Sequence, residues 1–207
     1  EYVDVTPTFL EVAGVKPRDN LDGRSFLPVL AGKTDQHKQF TYGIMTTRGI
    51  INGSDAFGIR TVRDKRFRLV WNLHHETKFR NACTQADYFV SMIEAAKAGD
   101  KKAADLVHRY QNRPEFELFD CQTDPLEMTN LAIDPQHSEK VAQLRGKLTD
   151  WMKSQGDQGI RTELTSLLRQ GKYKGMTFEE AERVWRKKKL KTGGNNRNRK
   201  KKESDKR

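Results

Sequence analysis

Arg48 is the side chain here best suited to gripping an anion, because a guanidinium offers a rigid fork of donors that matches carboxylate or sulfate. Thr47 precedes it and Asn52 follows four positions on, each able to donate and to accept. All three stand in Thr47-Arg48-Gly49-Ile50-Ile51-Asn52-Gly53, a polar loop between two runs of strand character. A loop feeding a buried strand is a common place for ligand contacts. His74 and His75 follow the end of a second apolar run, where site residues also gather. The blander role for each is a solvated loop side chain. Cys83 and Cys121 fit no zinc spacing, and the five histidines are scattered. The thiols read as small apolar side chains, with one bridge between them left open. Acidic residues are dispersed, whereas a calcium cage needs several converging oxygens.

The elements that would hold this loop follow from periodicity. Residues 57–73 are the centre. Phe67, Leu69, Trp71 and Leu73 alternate with Arg66, Arg68, Val70 and Asn72, the period of a strand with one buried face. A less regular run with Phe57, Ile59 and Thr61 precedes it across an Asp64-Lys65 turn. Arg60 and Arg63 are expected to face solvent or pair with Glu117, and Trp71 and Trp151 to pack strand against helix. A lone hairpin is marginal; residues 115–120 offer a third strand. Asp134-Pro135 starts the best helix, with Val141, Leu144, Leu148, Trp151 and Met152 on one face and Gly156 after its end. Thr6 as cap with Pro7 as first residue opens an early helix closed by Gly14. Two further helices are expected over 86–98 and 100–110, the second capped by Asp100. Thr177 and Glu180 form a capping box opening the last one.

Of 207 residues, 35% are hydrophobic and 32% charged, so a core forms but does not extend through the whole chain. The formal net charge of +11 is unevenly placed: residues 183–207 hold 13 basic and 2 acidic side chains, and the preceding 182 hold 26 of each. The basic character is that of a tail, expected to be disordered beyond Leu190, and not of a globular surface. Three uses are open to it: none, attachment to an anionic polysaccharide, or nucleic-acid binding. The last ranks lowest, since no aromatic residue follows Trp185 and no reader motif is present. No run approaches the roughly 20 apolar residues of a membrane span. The chain opens Glu1-Tyr2-Val3-Asp4, without an initiator Met or a signal peptide, and reads as a fragment.

Several segments together resemble the C-terminal part of a sulfatase. They are Tyr2-Val3-Asp4-Val5-Thr6-Pro7-Thr8-Phe9-Leu10 with Ala13-Gly14-Val15; Leu21-Asp22-Gly23-Arg24-Ser25-Phe26-Leu27-Pro28; Ile59-Arg60-Thr61-Val62-Arg63 leading to Phe67-Arg68-Leu69-Val70-Trp71-Asn72-Leu73; and Glu117-Leu118-Phe119-Asp120 with Asp124-Pro125-Leu126-Glu127 and Asn130-Leu131-Ala132. The set covers roughly residues 1–160. Within sulfatases the strand end and the helical insertion after it look most like the heparan N-sulfatase (sulfamidase) group. Residues 46–53 depart from that group's His- and Glu-bearing segment, which keeps an O-sulfatase of another sulfated polysaccharide in view.

The resemblance implies an α+β fold: the C-terminal part of an alkaline-phosphatase-like sulfatase, a small antiparallel sheet packed on helices. It divides the chain into 1–32 at the edge of an absent α/β catalytic domain, a C-terminal subdomain over 41–160, a helical extension over 161–190 and a basic tail over 191–207. It implies hydrolysis of sulfate esters or sulfamates on a sulfated saccharide, using calcium and a formylglycine made in a Cys/Ser-x-Pro/Ala-x-Arg motif. Neither Cys83 nor Cys121 begins such a motif, so catalytic and metal residues are expected in the missing N-terminal domain and this fragment alone is expected to be inactive. Arg48, Thr47, Asn52 and His74 are the expected substrate-binding residues, with a sulfated polysaccharide as partner and an extracytoplasmic location. The competing class is a non-catalytic polyanion-binding module with a basic tail.

Overall fold

The structure is a computed structural model that describes residues 1–16, 18–48 and 53–188. Asn52 and the tail over 191–207 lie outside the described residues. Two compact units alternate along the chain.

The first, the sheet unit, comprises residues 1–44, 59–71 and 116–151. Its four strands are β1 (Thr41–Met45), β2 (Ile59–Arg63), β3 (Phe67–Asn72) and β4 (Phe116–Asp120), in the order β1-β2-β3-β4. The β2–β3 turn is made by Asp64: its carboxylate accepts from Arg66 N at 2.8 Å and Phe67 N at 2.6 Å, an Asx turn. β3 and β4 are antiparallel, with Leu69 opposite Leu118 and Trp71 opposite Phe116. The last pair stacks with ring centroids 5.5 Å apart. Asn130 closes over β4, accepting from Leu118 N at 2.9 Å and donating to Phe116 O at 3.1 Å. That satisfies groups an edge strand would otherwise expose.

One buried face was expected on β3, yet Leu69 and Val70 are both buried, as are Ile59 and Arg60 on β2. These strands are covered on both sides, the setting of continuous apolar runs. Arg60 does not face solvent: it is 1% exposed, and it donates to its neighbour's carbonyl, Ile59 O, at 3.1 Å.

Helix α5 (Ser138–Ser154) lies on the sheet as expected. A short 3-10 turn, Pro135–His137, precedes it, capped by Asp134. Leu144 and Leu148 are fully buried. Along the helix, Lys140 pairs with Asp64, the Arg145 guanidinium lies over the Trp71 and Phe116 rings, and Trp151 stacks on Tyr42 at 4.8 Å.

The early helix α1 (Val5–Val12) begins two residues sooner than expected, after a 3-10 turn at Tyr2–Asp4. Pro7 still falls in the first turn, where its missing N–H has no helical acceptor to lose. Asp4 is fully buried; it accepts from Arg24 N at 2.8 Å and lies 2.7 Å from Lys38 Nζ. Burial opposes its charge, but these donors outweigh it and hold the carboxyl well below the usual range. Gly23 is required by close approach: a Cβ there would sit 1.8 Å from Val3 O. Helix α2 (Leu27–Leu30) follows.

The second, helical unit comprises residues 45–58, 72–115 and those from 152 on. Helices α3 (Asp87–Lys97) and α4 (Lys101–Gln111) form a hairpin, with Gly99 at φ +101° between them and the Asp100 carboxylate accepting from Ala103 N. Phe57, Phe79, Phe89 and Tyr110 pack ring against ring beneath it. Helix α6 (Ile160–Leu164) leads through 3-10 turns to α7 over residues 178–188. Its capping box forms as expected: Glu180 N donates to Thr177 Oγ1 at 3.3 Å, and Thr177 N to Glu180 at 2.8 Å. Ala181 and Trp185 then pack on Leu167 and Tyr173. Among the described residues no helix is long and apolar enough to cross a membrane.

Candidate functional site

The loop after β1 lies in the helical unit, and the carboxylates that order it come from the segment 160–188. Thr46 Oγ1 donates to Glu163, and Thr47 N reaches the same Oε1 at 3.3 Å. Glu163 is 1% exposed. Arg48 is 5% exposed; one arm of its guanidinium pairs with Glu182 of α7, and the other donates to Asp55 O at 3.1 Å. Its plane lies 4.8 Å from the centre of the Trp185 ring, and its carbonyl accepts from Gln170 Nε2 at 3.2 Å. Ser54 fastens the far side of the loop, donating to Lys78 O at 2.7 Å and accepting from Arg80 N at 2.8 Å.

Thr47 and Arg48 are thus brought together, but Arg48 does not show solvent the open fork that its residue type offers. Its charge is matched by Glu182. The Thr47 hydroxyl is buried without a hydrogen-bond partner among the described residues, a donor and acceptor left over inside the loop. His74 sits at the end of β3, where its Nδ1 accepts from Gly58 N at 3.5 Å. Gly58 also lies against Glu163, since a Cβ there would be 3.1 Å from Oε2. Glu163 therefore stands between the Thr46-Thr47 pair and the Gly58–His74 contact. Asn52 lies outside the described residues.

Glu163, Gln170, Glu182 and Trp185 were not singled out as site residues from sequence. Only α7 had a signal, its capping box, which starts a helix without saying what the helix meets. Burial pushes the Tyr173 phenol up. In α7 the Thr177 backbone N–H holds the Glu180 carboxyl below its usual range, so its cap stays ionised.

Among the described residues no group of three or more His, Cys, Asp or Glu is placed to hold a metal ion. Cys83 is exposed and Cys121 part-buried, both as free thiols. Among the described residues none fits a calcium cage, and neither cysteine begins a formylglycine motif. What the arrangement offers is polar recognition: a pinned cation, a buried hydroxyl and an imidazole in one unit.

No protein-family model matches the chain. Two ulvan-active sulfatases of Formosa agariphila are 36% and 31% identical to it over 159 residues each, 75% of this chain and 29% and 26% of those proteins. The N-sulphoglucosamine sulphohydrolase of Homo sapiens is 30% identical over 166 residues, 72% of this chain and 31% of that protein. Among solved structures, a 2-O GAG sulfatase aligns with a TM-score of 0.48 at 20% identity, covering 74% of this chain and 25% of that one. A phosphonate monoester hydrolase of Agrobacterium radiobacter aligns at 0.45 and 21%, covering 76% and 26%. The chain spans between a quarter and a third of the length of the curated relatives that it matches. Over the three quarters of its own length that these relatives share, the chain is a portion of a sulfatase.

Proposed function

We propose that the intact protein hydrolyses sulfate esters or sulfamates on a sulfated saccharide, and that this chain is its C-terminal portion, forming one wall of the substrate pocket. The observation that carries the reading is the match of three quarters of the chain to sulfatases named for ulvan and for N-sulphoglucosamine. The class common to both is a sulfated sugar. Residues 1–32 would belong to the edge of the catalytic domain, 41–160 to the C-terminal subdomain, and the stretch beyond to a helical extension. The surface of α1 supports that division: Phe9 and Val12 are 69% and 61% exposed, one turn apart on one helix face. A solvent-facing apolar stripe of this kind is what a helix shows when its packing partner lies elsewhere in the protein. The rest of the protein would supply the formylglycine and the calcium, and with them the attack on sulfur.

In this reading Thr47, Arg48, Asn52 and His74 lie on the substrate side. Arg48, paired with Glu182, and the buried Thr47 set the shape of the loop that meets the saccharide, and the His74 imidazole orients sugar hydroxyls. Arg48→Ala in the intact protein is expected to lower turnover of a charged saccharide at least tenfold while a small aryl sulfate is still cleaved. An equal loss on both substrates would show that Arg48 only pins α7.

A further inference from the structure

Glu163 is a carboxylate in a place where packing alone asks for an apolar side chain: it is 1% exposed, in the short helix α6. Desolvating a carboxylate offsets much of what its hydrogen bonds return, so a buried one is a poor device for stability alone. What it delivers is a fixed arrangement of the donors around it. These donors stand at two strand ends. Thr46 Oγ1 and Thr47 N, just after β1, converge on Oε1, and Oε2 lies beside Gly58, where a Cβ would be 3.1 Å from it. Gly58 is tied to the end of β3 by Leu73 N, which donates to its carbonyl at 2.9 Å, and by its own N–H, directed at His74 Nδ1. The turn ahead of α6 packs on the same strand end, since a Cβ on Gly159 would be 3.8 Å from Leu73 Cδ2. Thr46 and His74 are half-buried, whereas Thr47 and Glu163 are buried. The carboxylate is therefore behind the side chains that a ligand can reach, and it cannot meet a saccharide itself. Glu163 also falls beyond residues 1–160, over which the motifs resemble a sulfatase.

We infer that Glu163 is a positioning residue that sets saccharide specificity. It holds the Thr46-Thr47 end of the loop against the Gly58–His74 contact, and so fixes the span between the loop and the imidazole. The identity of the ligand rests on the proposed function. The role is one of acceptor geometry: glutamine keeps a carbonyl oxygen able to accept from both Thr46 Oγ1 and Thr47 N, and alanine keeps none.

The experiment uses the intact protein with Glu163→Ala, Glu163→Gln and Thr46→Val, ulvan and heparin as saccharide probes, and a small aryl sulfate as reference. On the polysaccharide that yields sulfate, Glu163→Ala is expected to raise KM about tenfold with kcat within about twofold, the mark of binding lost equally from ground and transition states. Glu163→Gln should return KM to within about threefold of the unaltered protein, and Thr46→Val, which removes one donor at a half-buried position, should raise it about threefold. Aryl sulfate cleavage should be unchanged in all three. Amide exchange at Thr47 should quicken in the alanine variant and slow again with glutamine. An unchanged KM in both Glu163→Ala and Thr46→Val would overturn the inference. So would an equal loss on polysaccharide and aryl sulfate, or a glutamine variant as impaired as the alanine one. Release of sulfate from no substrate by the unaltered protein would overturn the sulfatase reading and with it the saccharide role, while exchange at Thr47 would still report the hold of Glu163 on the loop.

Discussion

The Asp64 turn and the Asp4 carboxylate of the sheet unit and the Arg48 loop of the helical unit find their polar partners at different distances along the chain. In the sheet unit Asp64 answers amides two and three residues away, and Asp4 answers an amide 20 residues on. In the helical unit Thr46 meets Glu163 across 117 residues and Arg48 meets Glu182 across 134. The sheet unit therefore orders its Asp64 turn locally, while the described part of the loop around Arg48 takes its carboxylate partners from the segment 160–188. The loop's chemistry is held by groups that the strand pattern around it does not predict.

The largest effect that sharpens this contrast is expected in the sheet unit's apolar core. Leu148 is fully buried, and Leu148→Ala should cost about 3 kcal/mol through lost transfer energy and the cavity left behind. Urea unfolding of the intact protein, with amide exchange read on β2 to β4, should place the loss in the sheet unit. A loss below about 1 kcal/mol would mean that α5 does not anchor the sheet. Glu182→Ala comes next, at about 2 kcal/mol, because it leaves a 5%-exposed Arg48 without its partner. Exchange should rise on α7 and on the residues around Arg48 and stay unchanged on the sheet unit. Protection lost evenly across both units would break the distinction between them.

The smallest effect is a pH dependence. The Asp4 carboxyl titrates below its ordinary value when folded, so the folded chain binds that proton less readily than the unfolded one. Its contribution is present above about pH 4 and is lost as pH falls below that. Lys38 and the Arg24 amide face it, with His37 Nε2 at 3.4 Å; Glu1 shares Lys38. Asp4→Asn should flatten the acid limb of the stability curve and leave the neutral limb parallel to the unaltered protein. An acid limb as steep as before would assign the acid sensitivity to other carboxylates.

Much of the fold was legible because its signals are local. The Asp64 turn, the helix at 138–154 with its buried Leu144 and Leu148, the Asp100 cap and the Thr177–Glu180 box all depend on residues within a few positions of one another. The misreadings come from tertiary burial. Alternation along β3 reports one buried face and is blind to what covers the other, so Val70 was placed too near solvent, and the solvent-facing alternative for Arg60 on β2 fails in the same way. The site was legible only in part. Thr47 and Arg48 were singled out as candidates from residue type and loop position. That Arg48 is matched by Glu182 and stacked on Trp185 is long-range information that no spacing encodes.

The most direct test of the account is to measure inorganic sulfate released by the intact protein from a sulfated polysaccharide, beside the same assay on Arg48→Ala. The account predicts release by the unaltered protein, a drop of at least tenfold in the variant on the polysaccharide, and retained cleavage of a small aryl sulfate. No sulfate from any sulfated saccharide would contradict the proposed activity, and an undiminished variant would remove Arg48 from the substrate side.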